Sequence, residues 1–244
     1  YQSDSRYKFF GNVTAEYKFR KDLKLIGRLG GDMSFDQQEE RRNKASVDLG
    51  AYSVRNNSNK EFNYDLFLNF NRELTDKITF DATAGTNIRR NYYRSIYSTT
   101  NTDLVSDGLY TIGNSAGVPV PPVEIYEPAG VNGLFATAGF TFDKALAIDA
   151  TFRRDQSTTL PPANNSFFYP SVSASYIFSN KLHLDWLSYG RVRASYAEVG
   201  NDAPPLSVYD VYDKPTAFGN VALFSLPGRK NNSQLKPERT KSLE

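Results

Sequence analysis

Any chemistry in this chain would have to come from its tyrosines. Tyr92, Tyr93, Tyr97, Tyr110 and Tyr126 fall in one long polar stretch, and Tyr209 and Tyr212 in another. A phenol offers an apolar face that packs on a ring or a partner surface, and a hydroxyl that hydrogen-bonds. The bland reading is that these rings only order their own segments. The sole histidine, His183, falls in a short polar turn, without the convergent partners a metal site needs. Gly27, Gly30 and Gly31 superficially suggest a phosphate loop, but they lie inside an alternating run with no helix start after them. Asp32, Asp36, Glu39 and Glu40 could gather a cation, yet Arg41, Arg42 and Lys44 beside them point to a solvated charged segment. The basic end, Arg229, Lys230, Lys236, Arg239 and Lys241, could pair with phosphates or be plain surface. The sequence therefore predicts no catalytic, cofactor-binding or metal-binding residue, and no enzyme.

The totals agree with that. There are no cysteines in the 244 residues, hence neither disulfides nor a thiolate metal site. A net charge of +2 is too balanced to argue for nucleic acid. Mean hydropathy is −0.53, and no apolar run approaches the ~18 residues of a membrane helix. A spanning β-barrel stays open, because half of each of its strands faces water. Aromatic residues at 14%, with 16 Tyr and 17 Phe, favour strands and would also suit interfacial belts. The chain starts at Tyr1 without Met and without a leader peptide, so it reads as an internal segment of something longer.

The elements that must carry these residues are strands. Successive side chains of a strand point to opposite faces, and the sequence alternates accordingly. Tyr7, Phe9, Gly11, Val13, Ala15, Tyr17 and Phe19 share one face, with Lys8, Asn12, Thr14, Glu16, Lys18 and Arg20 on the other; only Phe10 breaks the polar side. A turn at Lys21-Asp22 leads back through Leu23, Leu25, Gly27, Leu29, Gly31, Met33 and Phe35. Phe62 to Phe70 and Ile78 to Ala84 form a second hairpin, and Leu134 to Phe142 and Leu146 to Phe152 a third, turning at Asp143-Lys144. The fourth pairs FYPSVSASYIFSN (Phe168–Asn180) with YGRVRASYAEVGN (Tyr189–Asn201) across a turn around Lys181 to Ser188. Leu235 to Glu244 starts a ninth strand.

Connections alternate short and long. The long ones are expected at about Asp36–Lys60, Ile88–Asn132 and Gly200–Ser233, with a shorter one containing Pro161-Pro162. Tight turns at one end and extended loops at the other are the habit of outer-membrane barrels. Aromatics near the short turns (Tyr17, Phe19, Phe70, Phe140, Phe142, Phe178) and near the long ones (Phe35, Phe62, Tyr64) match two interfacial girdles. A soluble β-sandwich also alternates, but it does not need strands of 9–11 residues (roughly the length a tilted span requires) or such long loops.

The run AIDATFRRDQSTTLP (Ala147–Pro161), then YPSVSASY, then RASYAEVGN, then LKPERTKSLE, resembles the SusC/RagA family of TonB-dependent outer-membrane transporters of Bacteroidetes. The likeness is closest from about Val131 to Glu244 and looser through GNVTAEYKF and GRLGGDMSF. It implies an all-β fold, eight to nine strands of a plugged barrel of roughly 22. All of residues 1–244 would be barrel, with the plug and TonB box absent from the chain. It further implies import of oligosaccharides or peptides, a SusD-like lipoprotein over the external mouth, energy through TonB, and contact with outer-membrane lipid and lipopolysaccharide. The alternatives are a passive porin-like barrel and a soluble carbohydrate-binding β-protein. In the barrel reading the tyrosines belong to external loops and are the candidate contacts to cargo or partner.

Overall fold

The computed structural model describes residues 1–180, 186–215, 217–219 and 221–244. His183 and most of the turn expected around it lie outside the described residues. Nine strands form one sheet in sequence order. They are β1 (Gln2–Arg20), β2 (Leu23–Arg42), β3 (Ala51–Thr75), β4 (Ile78–Thr99), β5 (Val123–Phe142), β6 (Leu146–Ser157), β7 (Ser166–Ile177), β8 (Arg191–Asn201) and β9 (Glu238–Leu243). Short 3-10 turns occur at Ile112–Asn114 and Phe178–Asn180. Among the described residues no helix is long and apolar enough to cross a membrane.

The chain divides into two compact units. One comprises Tyr1–Thr14, Arg28–Tyr64 and Arg89–Ala129; the other comprises Ala15–Gly27, Asp65–Ile88 and Gly130–Glu244. The second unit holds the short hairpin turns and sets out the two faces by register. Phe142 pairs with Leu146, and Leu146 with Tyr176, which pairs with Val192. The next oily column is Phe140–Ile148–Ala174–Ala194, and the one after it Ala138–Ala150–Val172–Tyr196. Between them run the polar columns Gly139–Asp149–Ser173–Ser195 and Thr137–Thr151–Ser171–Ala197. Because side chains alternate with a period of two, this register keeps the oily set on one face of four successive strands. Phe140, Ile148, Phe152, Val172 and Val192 are all exposed, so no second layer among the described residues covers that face. Phe70, Phe80, Phe140 and Phe142 form an aromatic row across it, with centroids 5.9, 4.7 and 6.3 Å apart in turn.

The turns form where the sequence permits. Asp143 and Lys144 adopt left-handed φ values of 50° and 54°, a conformation that short polar turn residues support better than branched ones. The expected strands all exist, but five of them are far longer than read. β1 to β5 run 19, 20, 25, 22 and 20 residues, so the expected loop at Asp36–Lys60 shrinks to residues 43–50 and that at Ile88–Asn132 to residues 100–122. The extra length carries polar residues on both faces, which hides it from any test of alternation. The acidic group Asp32, Asp36, Glu39 and Glu40 is accordingly strand, not loop.

In the first unit the 100–122 connection is tied to the 43–50 connection. Asp103 Oδ1 accepts from the backbone N–H of Gly50 and of Leu104, each at 2.8 Å, and Lys44 Nζ stands 3.9 Å from Oδ2. Leu104 is fully buried beneath this clasp. Asn114 crosslinks the same connection, donating to the carbonyls of Ser106 and Leu109 while its own Oδ1 accepts from Ser106 N–H.

Candidate functional site

The seven tyrosines fall out in three ways. Tyr92, Tyr93 and Tyr97 lie in β4 and Tyr126 in β5, so four of them belong to strand extensions and not to loops. Tyr93 hydrogen-bonds Asn57 Oδ1 at 3.4 Å, and Tyr97 packs under the Arg55 guanidinium at 5.0 Å. Tyr92 and Tyr126 stand exposed. Tyr110 is in the 100–122 connection, where its ring meets Arg41 at 5.6 Å; Tyr1 meets the same guanidinium at 5.9 Å. Glu39 hydrogen-bonds Arg41 and holds its pKa above the ordinary value. Burial, with Glu39's charge and hydrogen bond, pushes the nearby Tyr52 phenol up. Tyr110 is thus committed to an internal clamp. Tyr209 and Tyr212, in the connection before β9, are exposed, and that segment is pinned by Asn231, which donates to the carbonyl of Tyr209 at 2.6 Å.

A groove of about 460 Å³ opens in the first unit beside Tyr97, lined by Asp4, Gln38, Glu40, Ser53 and Arg55 among others. Its walls are polar, and ion pairs such as Arg6–Asp36 (2.6 Å) and Lys8–Asp32 (2.9 Å) continue along β1 and β2. Such a surface suits water and hydrogen-bonding solutes. Ion pairs this exposed add little stability.

The second unit holds a feature that the alternation did not announce. On its polar face, Phe135 pairs with Arg153 and Arg153 with Tyr169 across β5, β6 and β7. Phe67 of β3 reaches Phe135 at 6.3 Å over the intervening β4. It can do so because β4 offers Gly85 there: a Cβ at Gly85 would fall against Phe67 itself and 2.6 Å from the Leu66 carbonyl. A row of Phe67, Phe135, Arg153 and Tyr169 therefore crosses the side that carries Asp81, Asp149, Thr151 and Ser171. Asp155 holds Arg153 in place, with Nε 2.9 Å from Oδ1 and donating to Oδ2 at 3.0 Å. Gly133, opposite Asp155, leaves room for this pair, since a Cβ there would come within 2.6 Å of both side chains. Phe167, 3% exposed, braces Tyr169 edge-on at 5.0 Å. Phe67, Phe135 and Tyr169 were legible only as breaks in the polar face, of the same kind as Phe10.

Exposed oily columns backing a polar, charge-bearing face are the two surfaces of a wall between lipid and water. Over residues 1–244 the chain matches the family described as TonB dependent receptor-like, beta-barrel. It belongs to that family. The fold is also that of solved structures titled "Structure of the RagAB peptide transporter" (TM-score 0.84, 20% identity, covering 98% of this chain and 28% of that one). The RagAB peptide importer in its 'closed-closed' state matches at a TM-score of 0.84 and in its 'open-open' state at 0.81, each at 20% identity and covering 99% of this chain and 28% of that one. This chain thus spans 28% of the length of those proteins, and at that identity the likeness speaks of fold. None of the curated proteins matches. The expected TonB-dependent receptor barrel is borne out, as is the all-β barrel segment. TonB-dependent receptor barrels are outer-membrane proteins.

Proposed function

We propose that this chain is part of the wall of a SusC-like active importer of the bacterial outer membrane. The supporting observation is the two-faced sheet of a receptor-barrel family member, with unbroken oily columns on one side and hydrogen-bonding residues on the other. Cargo, an oligosaccharide or a peptide, would enter at the long-strand end and pass along the polar face. A SusD-like lipoprotein would close over that mouth, where Tyr92 and Tyr126 stand exposed on strand ends and Tyr209 and Tyr212 on a pinned loop. The plug and the TonB contact would be supplied by other parts of the whole protein. Both edges of this sheet, at β1 and β9, need further strands, since an unpaired backbone group in lipid costs several kcal/mol.

Uptake of labelled cargo by cells carrying the full-length protein tests this. An energised importer loses uptake when TonB is deleted or a protonophore collapses the inner-membrane gradient. Uptake that persists under both treatments would identify a passive pore instead.

A further inference from the structure

We propose that the row Phe67–Phe135–Arg153–Tyr169 on the polar face is a contact station for neutral saccharide cargo. This rests on the reading of that face as lumenal. The row stands seven or eight residues from the short turns along each strand, about 25 Å at ~3.3 Å per residue, and so at the outer end of the span.

Three properties favour a sugar. First, the rings are half-exposed on a face that otherwise carries hydroxyls and carboxylates, and Tyr169 is laid over Gly200, where a Cβ would strike its ring. A ring lying along the wall presents an area that matches the C–H face of a pyranose. Second, Arg153, flanked in register by Phe135 and Tyr169, carries its guanidinium beside Asp155 and Gly133, and its planar donors suit the hydroxyls on the rim of a sugar stacked on those rings. Third, the station is neutral. Asp155, on the same face but only 9% exposed, cancels the arginine's charge and fixes its orientation from a covered position, so the row neither attracts anions nor repels cations. Asp155 is a positioning residue; Arg153 and the rings make the contact. A peptide carrier reading apolar side chains would instead need recesses. Around this row the wall offers flat rings, and two grooves of this chain lie elsewhere, in the first unit.

The test uses the full-length protein in detergent, titrated calorimetrically with neutral gluco-, fructo- and manno-oligosaccharides and, in parallel, with uncharged peptides. One saccharide class should bind. Phe135→Ala and Tyr169→Ala should each weaken it roughly 3- to 10-fold, the range expected for loss of one ring contact. Tyr169→Phe should retain most of the affinity. Asp155→Asn should weaken binding and make it sensitive to salt, because Arg153 then carries an uncompensated charge. Thr141→Ala, on the same face but near the short turn, should bind as the parent does. Absence of saccharide binding by the folded protein, equal affinity in the ring variants, or loss of peptide binding alone would overturn the proposal. So would variants that bind cargo normally but leave the plug open to protease, since the row would then be a seat for the plug. Calorimetry requires no energy coupling, so a porin would still show the saccharide effect and an importer could fail to; the two readings fail separately.

Discussion

Val172 and Ser173 are neighbours in β7 with opposite surroundings. Val172, 48% exposed, lies in the oily column with Ala150 and Tyr196, while Ser173 pairs with Asp149 and Ser195 on the polar side. Val172 is also about midway along its strand, whereas Ile148 is two residues from the end of β6 beside the aromatic row. Placing an arginine among acyl chains is costly at the midplane and cheap near the headgroups. Val172→Arg should therefore cost about 2–4 kcal/mol, and Ile148→Arg about 1 kcal/mol or less, in urea titrations of the refolded barrel. Asp149→Asn should change the midpoint little, because its carboxylate faces water and stands across Gly139 from Asp81, whose like charge it no longer opposes. Equal costs at Val172 and Asp149 would mean that the faces are reversed or that neither meets lipid.

At the scale of elements, glycines and clasps decide what the strands can do. Gly85→Ala forces a methyl into the backbone of β3, so it should destabilise by about 1–3 kcal/mol. Gly27→Ala meets only the Leu66 side chain at 3.9 Å and should be neutral or slightly stabilising, since glycine weakens a strand. The same refolding titration separates the two. Asp103→Ala removes two backbone hydrogen bonds and an ion pair from the clasp between residues 43–50 and 100–122. Hydrogen bonds to a charged group are worth about 1.5–3 kcal/mol each, so trypsin should then cut at Lys44 or Arg42 many times faster while the barrel midpoint holds. The sequence showed all nine strands and their order but cut five of them short. β2 to β5 go on past the point where one face turns oily, into water, where Lys60, Arg89, Asn91 and Glu124 make both faces polar. Periodicity reports burial of one side, and where neither side is buried it is silent.

For the whole molecule the decisive matter is energy coupling. If the protein is an importer, a full-length preparation should need detergent for extraction and should co-purify with a lipoprotein lid. Its uptake in cells should stop with a protonophore. Survival of uptake in cells lacking TonB would leave the fold intact and remove the active-transport reading.

What the sequence alone determined is the two-sidedness of each strand. A period of two in side-chain direction is a local property, so hydropathy along the chain is enough to reveal it, together with the turns between hairpins. Only the tertiary structure decided which residues stand side by side. Phe67 and Phe135 are far apart in the chain, and Gly85 between their strands lets them meet. Cross-strand rows depend on register summed over several pairings, and no stretch of sequence contains that information by itself.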